Sequence, residues 1–367
     1  MAGSKSTFAS FIQRHLKYGN LFGCIYLTWR GGRVVGHTGR VPNLVRLTMA
    51  IQFVYMLSQI SAILTIPQSF LDTAEAIVFT SAFIISFLLR LEPYPDRDVI
   101  HLLNHCCGSK GDSDYPAESG LLFSRLSYFF AMVEFLYVES AMFMLLITIL
   151  LPCKAPLLSS HLCHHTFYDL HHLIAYLLLP VIEFVIMSWM IVGGAHYCCL
   201  VLISSISFLH LEFQKFKKSQ NIAKIKGYRK LQMFEKLVNS TLKDKILPIF
   251  AYAIPLMQIF VGFMAAKMMT MTPLNPRVAL FAYGYVGAIL MSVLTLTSAG
   301  MVNTLSAGWI KSGNGKERST KIGRKLHTSL APLKIRFANN FVDKLTPLVM
   351  QEFCVSQSVT LLILTGF

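Results

Sequence analysis

Residues 173–209 read LIAYLLLPVIEFVIMSWMIVGGAHYCCLVLISSISFL, a run of 37 residues whose sole charged side chain is Glu183. About 20 apolar residues suffice to cross the hydrocarbon layer of a bilayer, so the run poses a choice between one span and two. As one helix it extends roughly 55 Å; as two it leaves almost nothing for a turn. The choice sets the side of the membrane on which every later loop falls, and charge decides it.

Outward from this run, six further uncharged or nearly uncharged stretches are long enough to span: 44–66, 73–91, 126–151, 246–266, 278–310 and 345–367. The whole chain is 54% apolar and 14% charged, against roughly 25% charged in soluble domains. With residues 173–209 as one span, seven Lys and Arg lie in the N-terminal segment up to Arg46, four in the second loop counting Arg90 at its edge, ten in the fourth and nine in the sixth. The first loop has none, the third only Lys154, and the fifth Lys267 and Arg277. Basic residues are retained in the cytosol, so 30 against 3 predicts seven spans, a cytosolic N-terminus and an external C-terminus. Splitting the run would export the ten-charge loop. The fold class is therefore an all-α membrane protein with seven transmembrane helices.

The net charge of +15 is accounted for by this sorting. Stretches such as Lys215-Phe216-Lys217-Lys218 read as topogenic, lipid-facing charge, and no nucleic-acid partner is expected. Residues 1–43 are basic and polar throughout, which predicts a cytosolic segment without a cleavable signal and leaves span one to act as the targeting signal. The sequon Asn239-Ser240-Thr241 falls on the cytosolic side. Residues 44–367 form the membrane domain, with cytosolic anchor parts at about 208–245 and 306–344. An apolar stripe in the first of these (Phe213, Phe216, Ile222, Ile225, Leu231, Phe234, Leu237) is expected to pack copies of the chain together, or else to lie on the membrane surface.

Seven spans, a cytosolic N-terminus, overlong fourth and sixth helices and a last span running to Phe367 together resemble the arthropod gustatory and odorant receptors. Two local features add to this. Pro332-Leu333-Lys334-Ile335 precedes a polar-aromatic segment and the last span, and the chain ends Val359-Thr360-Leu361-Leu362-Ile363-Leu364-Thr365-Gly366-Phe367. The family ends in Thr-Tyr, five apolar residues and Gln-Phe; here Val359, Thr360 and Gly366 replace Thr, Tyr and Gln. The resemblance implies a chemosensory receptor of the plasma membrane without a cofactor, acting as a ligand-gated nonselective cation channel. It also implies a tastant or odorant ligand and a homotetramer, or a heterotetramer with a related receptor subunit. The last helix, 345–367, would line the pore. Val355, Val359, Ile363 and Phe367 recur at i+4, and a ring of such side chains can gate by dewetting. Gly366 stands where the family carries a polar pore-facing group.

Burying an ionised carboxylate at mid-bilayer costs about 2.5–3.5 kcal/mol, so Glu134, Glu139, Glu183 and Glu352 call for cavities or partners. The family's ligand pocket lies in the outer half of the bundle, which makes Glu183 the leading polar contact for a ligand. Tyr176, Phe184, Phe79, Phe83, Phe143, Phe260 and Phe281 are the candidate aromatic walls. The competing reading is a Glu183 hydrogen-bonded to a neighbouring helix among aromatics that merely pack. Glu134 is expected to be structural, and Glu352 to form a carboxylate ring that attracts cations.

Two histidine clusters suggest a rival chemistry. His101-Leu102-Leu103-Asn104-His105 and His161-Leu162-Cys163-His164-His165 look like the first two boxes of membrane desaturases, which hold two irons. The third box is missing, and the charge count sends the two clusters to opposite sides of the membrane. An external metal or proton site using His161, His164 and His165 stays a weak candidate, and Cys153 and Cys163 could form a disulfide in that loop. A G-protein-coupled receptor would need the opposite orientation. A transporter remains the alternative class, although no matching broken helices are found in two halves of the chain.

Overall fold

The 37-residue run is part of one continuous helical rod. The computed structural model describes residues 7–92, 94–108, 117–162, 170–218, 224–271, 276–312 and 321–366. In chain order it contains α1 (Thr7–Phe22), β1 (Leu27–Arg30), β2 (Arg33–Gly36), α2 (Val41–Thr65), α3 (Phe70–Arg90), α4 (Arg97–Cys107) and α5 (Ala117–Leu150). Next come α6 (Leu170–Ala195), α7 (Ser204–Lys218), α8 (Lys224–Thr241), α9 (Leu247–Met271), α10 (Pro276–Ser312) and α11 (Lys321–Thr328). The strands β3 (Arg336–Phe337) and β4 (Asn340–Phe341) and the helix α12 (Thr346–Leu364) complete it. Among the described residues seven helical runs are long and apolar enough to cross a membrane: Val41–Thr65, Phe70–Arg90, Leu126–Leu150, Leu177–Lys218, Ile225–Met271, Arg277–Ser312 and Thr346–Leu364. The protein is a multi-pass membrane protein.

The local chemistry explains the boundaries. Ser69 caps α3 by accepting from the Asp72 backbone N–H at 3.2 Å, which satisfies one of the orphan amides of a first turn. Pro42 sits in the first turn of α2, where a missing N–H costs nothing. The long rods change pitch twice. A π-helical stretch, His196–Ile203, joins α6 to α7, and another, Leu242–Ile246, joins α8 to α9. The two stretches touch each other. At Gly300 on α10 an added Cβ would lie 2.7 Å from the Asp343 carbonyl oxygen, so only glycine lets the turn before α12 approach this closely.

Residues 7–43 form more than a basic tail. Helix α1 turns Phe8, Phe11, Ile12 and Leu16 into the protein, each at most 3% exposed, and Phe11 stacks on Phe130 of α5 at 3.8 Å. Arg14 reaches Glu134 with N···O distances of 2.8 and 3.1 Å, which gives that intramembrane carboxylate its partner. The antiparallel β1–β2 pair is tied to α4 by Asn104, whose side chain exchanges two hydrogen bonds of 2.8 Å with the Val34 backbone. The anchor stripe also differs from expectation. Phe213, Leu231 and Phe234 are buried inside the protomer, and Phe216, Ile225 and Leu237 pack against the same core; Ile222 lies outside the described residues. Trp309 of α10 stacks on Tyr228 at 4.9 Å in the middle of this layer. The stripe therefore closes the chain's own interior, because α1, α4 and α10 supply the apolar surface that copies of the chain were expected to supply.

His15 is fully buried there, its Nδ1 2.6 Å from the Tyr137 hydroxyl and its ring stacked 5.6 Å from that of His196. Burial, with a smaller contribution from His196, holds the His15 imidazole well below its usual range. The folded chain thus stays neutral at a site where the unfolded chain takes up a proton near pH 6.5, so stability falls as pH drops below about 6.5. The melting temperature of the purified chain should decline between pH 7 and pH 5, and His15→Gln should flatten the decline. Parallel profiles would show that this imidazole is not the group responsible.

Candidate functional site

The end of the bundle carrying Lys154, Lys267 and Arg277 holds most of the candidate residues. Glu183, on α6, is 1% exposed and has both oxygens engaged. Its Oε2 accepts from the Tyr55 hydroxyl of α2, and its Oε1 accepts from the Leu158 backbone N–H at 2.7 Å. Leu158 opens a short 3-10 turn, Leu158–Leu162, in the loop after α5, so Glu183 staples that loop to α2 and α6. Tyr55 in turn packs on Phe83 with ring centroids 5.1 Å apart. Removing the carboxylate leaves two donors without acceptors. Glu183→Leu should lower stability by about 2–4 kcal/mol, whereas Glu183→Gln, which can accept from Leu158 and donate to Tyr55, should lose much less. Equal melting temperatures for the two variants would mean that Glu183 holds nothing in place.

Beside this staple lies an open cleft that encloses about 20 Å³ of free volume. Gln59 of α2, Glu75 and Phe79 of α3, Met144 and Ile147 of α5, and Lys154 to Leu157 of the loop line it. The Glu75 carboxylate is bonded to Lys154 and lies 3.4 Å from Arg277, which also meets Asp72 at 3.2 Å. Two cations face two carboxylates, so this rim carries no net charge. The Gln59 side chain is 1% exposed and lies beside the Tyr55 hydroxyl, with which its amide interacts.

Of the expected aromatic walls, Phe79 and Phe83 belong to the cluster around Tyr55, Met144 and Leu157. Phe260 and Phe281 belong to another, with Val78, Val261, Phe263, Met264 and Met268. Phe184 is half-buried on α6 and Phe143 is exposed on α5. Tyr176 falls in α6, but its side chain lies outside the described residues, as do His164, His165, Cys163 and Phe367. Helix α3 borders both clusters, since Phe79 faces one and Val78 the other. Leu361 and Leu362 of α12 pack against the second.

Helix α12 is held on one side only. Gln351 donates to Ser292 of α10 at 3.0 Å and accepts from Gln258 Nε2 of α9 at 2.6 Å. The Ser358 hydroxyl reaches the Ile259 carbonyl at 3.3 Å. The opposite face is uncovered. Val355 is 50% exposed, Val359 47% and Ile363 70%. Glu352 and Ser356 are exposed as well. At 3.6 residues per turn, Glu352, Ser356, Val359 and Ile363 keep within an arc of roughly 60° in the middle of this face, while Val355 lies about 80° round from Ile363. Gly366 ends the helix with φ +68°, a left-handed conformation that glycine adopts freely.

At the other end, Arg90 of α3 is 2% exposed and bridges four neighbours. It donates to Gln52 Oε1 at 2.5 Å, Thr48 Oγ1 at 3.1 Å, the Cys24 carbonyl at 3.2 Å and the Trp189 carbonyl at 3.4 Å. The histidine clusters stay apart. His105 stacks on Phe234 at 4.6 Å, whereas His161 sits 3.3 Å from the Ser58 hydroxyl and carbonyl of α2. Among the described residues no three His, Cys, Asp or Glu side chains come together in a metal-binding group. Cys153 is disulfide-bonded.

Sequence reasoning missed Tyr55, Gln59 and Arg90. The signal was present for the last, a lone arginine ending an apolar run, but it was counted among the loop charges.

No protein-family model matches the chain, and no curated protein matches it. Solved structures do. The insect olfactory receptor OR5 from Machilis hrabei is similar over 96% of this chain and 97% of its own, with TM-score 0.63 and 15% identity. The same receptor in complex with eugenol is similar over 97% and 99%, with TM-score 0.60 and 14% identity. The chain has the seven-helix fold of that receptor.

Proposed function

We propose that the chain is a chemosensory receptor that acts as a ligand-gated nonselective cation channel in the plasma membrane. The whole-length likeness of its fold to an insect olfactory receptor carries this reading. Because eugenol is bound by that receptor, a small, largely apolar odorant or tastant is the ligand class to expect here. The uncovered face of α12 supports the rest. In a tetramer, whether of this chain alone or with a related subunit, four copies of Glu352, Ser356, Val359 and Ile363 line a central path. Glu352 and Ser356 supply wettable groups, and Val359 and Ile363 an apolar constriction that closes by dewetting.

The N-terminus is cytosolic and the C-terminus external, with the anchor parts 208–245 and 306–344 in the cytosol. Lys154, Lys267 and Arg277, the three cations assigned outside, all sit at one end of the bundle. Two face Asp72 and Glu75, and Lys267 donates to the Thr365 carbonyl at 3.1 Å. A ligand in the outer half shifts the closed–open equilibrium by its differential affinity for the two states. Phe79 and Val78 lie on different sides of α3, and Leu361 and Leu362 pack against the cluster that contains Val78 and residues of α9, so the route to α12 runs through α3 and α9.

Whole-cell recording from cells expressing the chain, against a panel that includes eugenol, tests the reading. Ligand-evoked cation currents support it. Silence to every compound, with the protein present at the cell surface, overturns it for the chain acting alone.

A further inference from the structure

The intramembrane carboxylates Glu134, Glu183 and Glu352 each have an account. Arg14 meets Glu134, Tyr55 and Leu158 hold Glu183, and Glu352 lies on the face of α12 proposed to line a hydrated path. Glu139 has none. It stands near the midpoint of the 25-residue span Leu126–Leu150, about 20 Å along the helix from one end and about 16 Å from the other. Its side chain is exposed and makes no hydrogen bond or ion pair among the described residues. An intramembrane carboxylate is costly and almost always faces a cavity or a partner. Helix α5 packs on α6 and touches α1, and α6, α3 and α9 stand between it and α12, so a water path along α12 does not reach Glu139. Lipid headgroups stay at the interfaces, beyond the reach of so short a side chain. A second copy has no cation to offer at this depth, because the central parts of all seven apolar runs lack Lys and Arg.

The surface around Glu139 suits a helix. Tyr128, Met132, Phe135, Glu139, Met142 and Leu146 follow one another at alternating steps of four and three residues, and all are exposed. That rhythm keeps one seam toward a neighbouring helix crossing at about 20°, and a single polar residue in such a seam fixes register and partner choice. We infer that this face of α5 docks the transmembrane helix of a different membrane protein, one that carries a Lys or Arg at mid-depth to pair with Glu139. With lipid excluding water, that ion pair is the specificity-determining contact, and the aromatic, methionine and leucine side chains supply packing on either side of it. The inference goes beyond the channel reading and does not depend on it. It needs only that α5 spans the membrane with this face outward.

The test uses the full-length chain in phosphatidylcholine nanodiscs with synthetic polyleucine spanning peptides, identical except for a central Lys or a central Leu. A photo-crosslinking amino acid in place of Met142 reports docking on this seam, and one in place of Leu290, exposed on α10, reports contact elsewhere. Crosslinking at Met142 is expected to be about tenfold stronger for the Lys peptide than for the Leu peptide. Glu139→Gln should bring the Lys peptide down to the level of the Leu peptide. That variant removes an exposed group without an internal partner, so its melting temperature should match the parent's. Unfolding of the Glu139→Gln chain overturns the proposal, because the carboxylate would then serve the chain's own fold. Equal crosslinking by the two peptides overturns it, as does a Lys preference that survives Glu139→Gln or is found at Leu290 instead. Chains that crosslink to one another through Met142 in preference to the Lys peptide overturn it in favour of a second copy on this face. The readout is contact, not current, so the outcomes separate. Failure here leaves the channel reading intact, and silence in whole-cell recording leaves this surface intact.

Discussion

Replacing Arg90 by methionine is expected to lower the stability of the folded chain by about 3–5 kcal/mol, because four buried neutral acceptors lose a charge-assisted donor together. Methionine fills most of the volume, so the loss isolates the polar contribution. Gln52 Oε1, Thr48 Oγ1 and the Cys24 and Trp189 carbonyls would all lose a donor within the protein. Each buried acceptor left unpaired costs about 1–3 kcal/mol, partly recovered by relaxation. Arg90→Lys keeps the charge but loses the fork that reaches several elements at once, and should fall between the two. Gly193→Ala attacks the same hub from outside, since its Cβ would lie 2.3 Å from Arg90 Cδ and 2.6 Å from Nε. Thermal melts followed by size-exclusion chromatography measure all three. A methionine variant as stable as the parent would show that water or alternative partners replace the guanidinium at no cost.

Arg90 also marks the limit of what the sequence makes readable. The seven spans were legible because lipid demands long uncharged runs, and their number and the expected threading followed from the sorting of Lys and Arg. Glu183 was legible as an intramembrane carboxylate needing a partner. Its partner was not, because Tyr55 is 128 residues away and one tyrosine in an apolar span looks like any other. Gln59 was invisible for the same reason. Helix α1 left a readable trace, Phe8, Phe11, Ile12 and Leu16 at helical spacing, but the basic residues between them directed attention to topology. The inward turn of the anchor stripe followed from that omission, because nothing in the sequence marked the surface it would cover. The i+4 series on the last helix had the complementary fault: it drifts by about 40° at each step, so Val355 and Ile363 do not share the centre of one face.

The same geometry gives the second large effect. If α12 lines a path for cations, Ile363→Ala should produce a standing current in the absence of ligand. Three carbon atoms are lost from each subunit's contribution to the apolar constriction, at about 0.8 kcal/mol for each methylene removed from its apolar contacts. A shift of about 2 kcal/mol in the closed–open equilibrium changes the resting open probability more than tenfold. Glu352→Gln, on the same arc and toward the other end of the helix, should leave gating alone and reduce the preference for cations, read as a shift of reversal potential in a sodium chloride gradient. Val355→Ala, about 80° round the helix, should do neither, because its side chain sits at the edge of the uncovered face and off the centre of the lining arc. Cells expressing each variant at matched surface levels provide the comparison. A standing current from Val355→Ala with silence from Ile363→Ala would rotate the lining face of α12 away from Glu352 and Ser356, and no wettable stripe would then remain along the path.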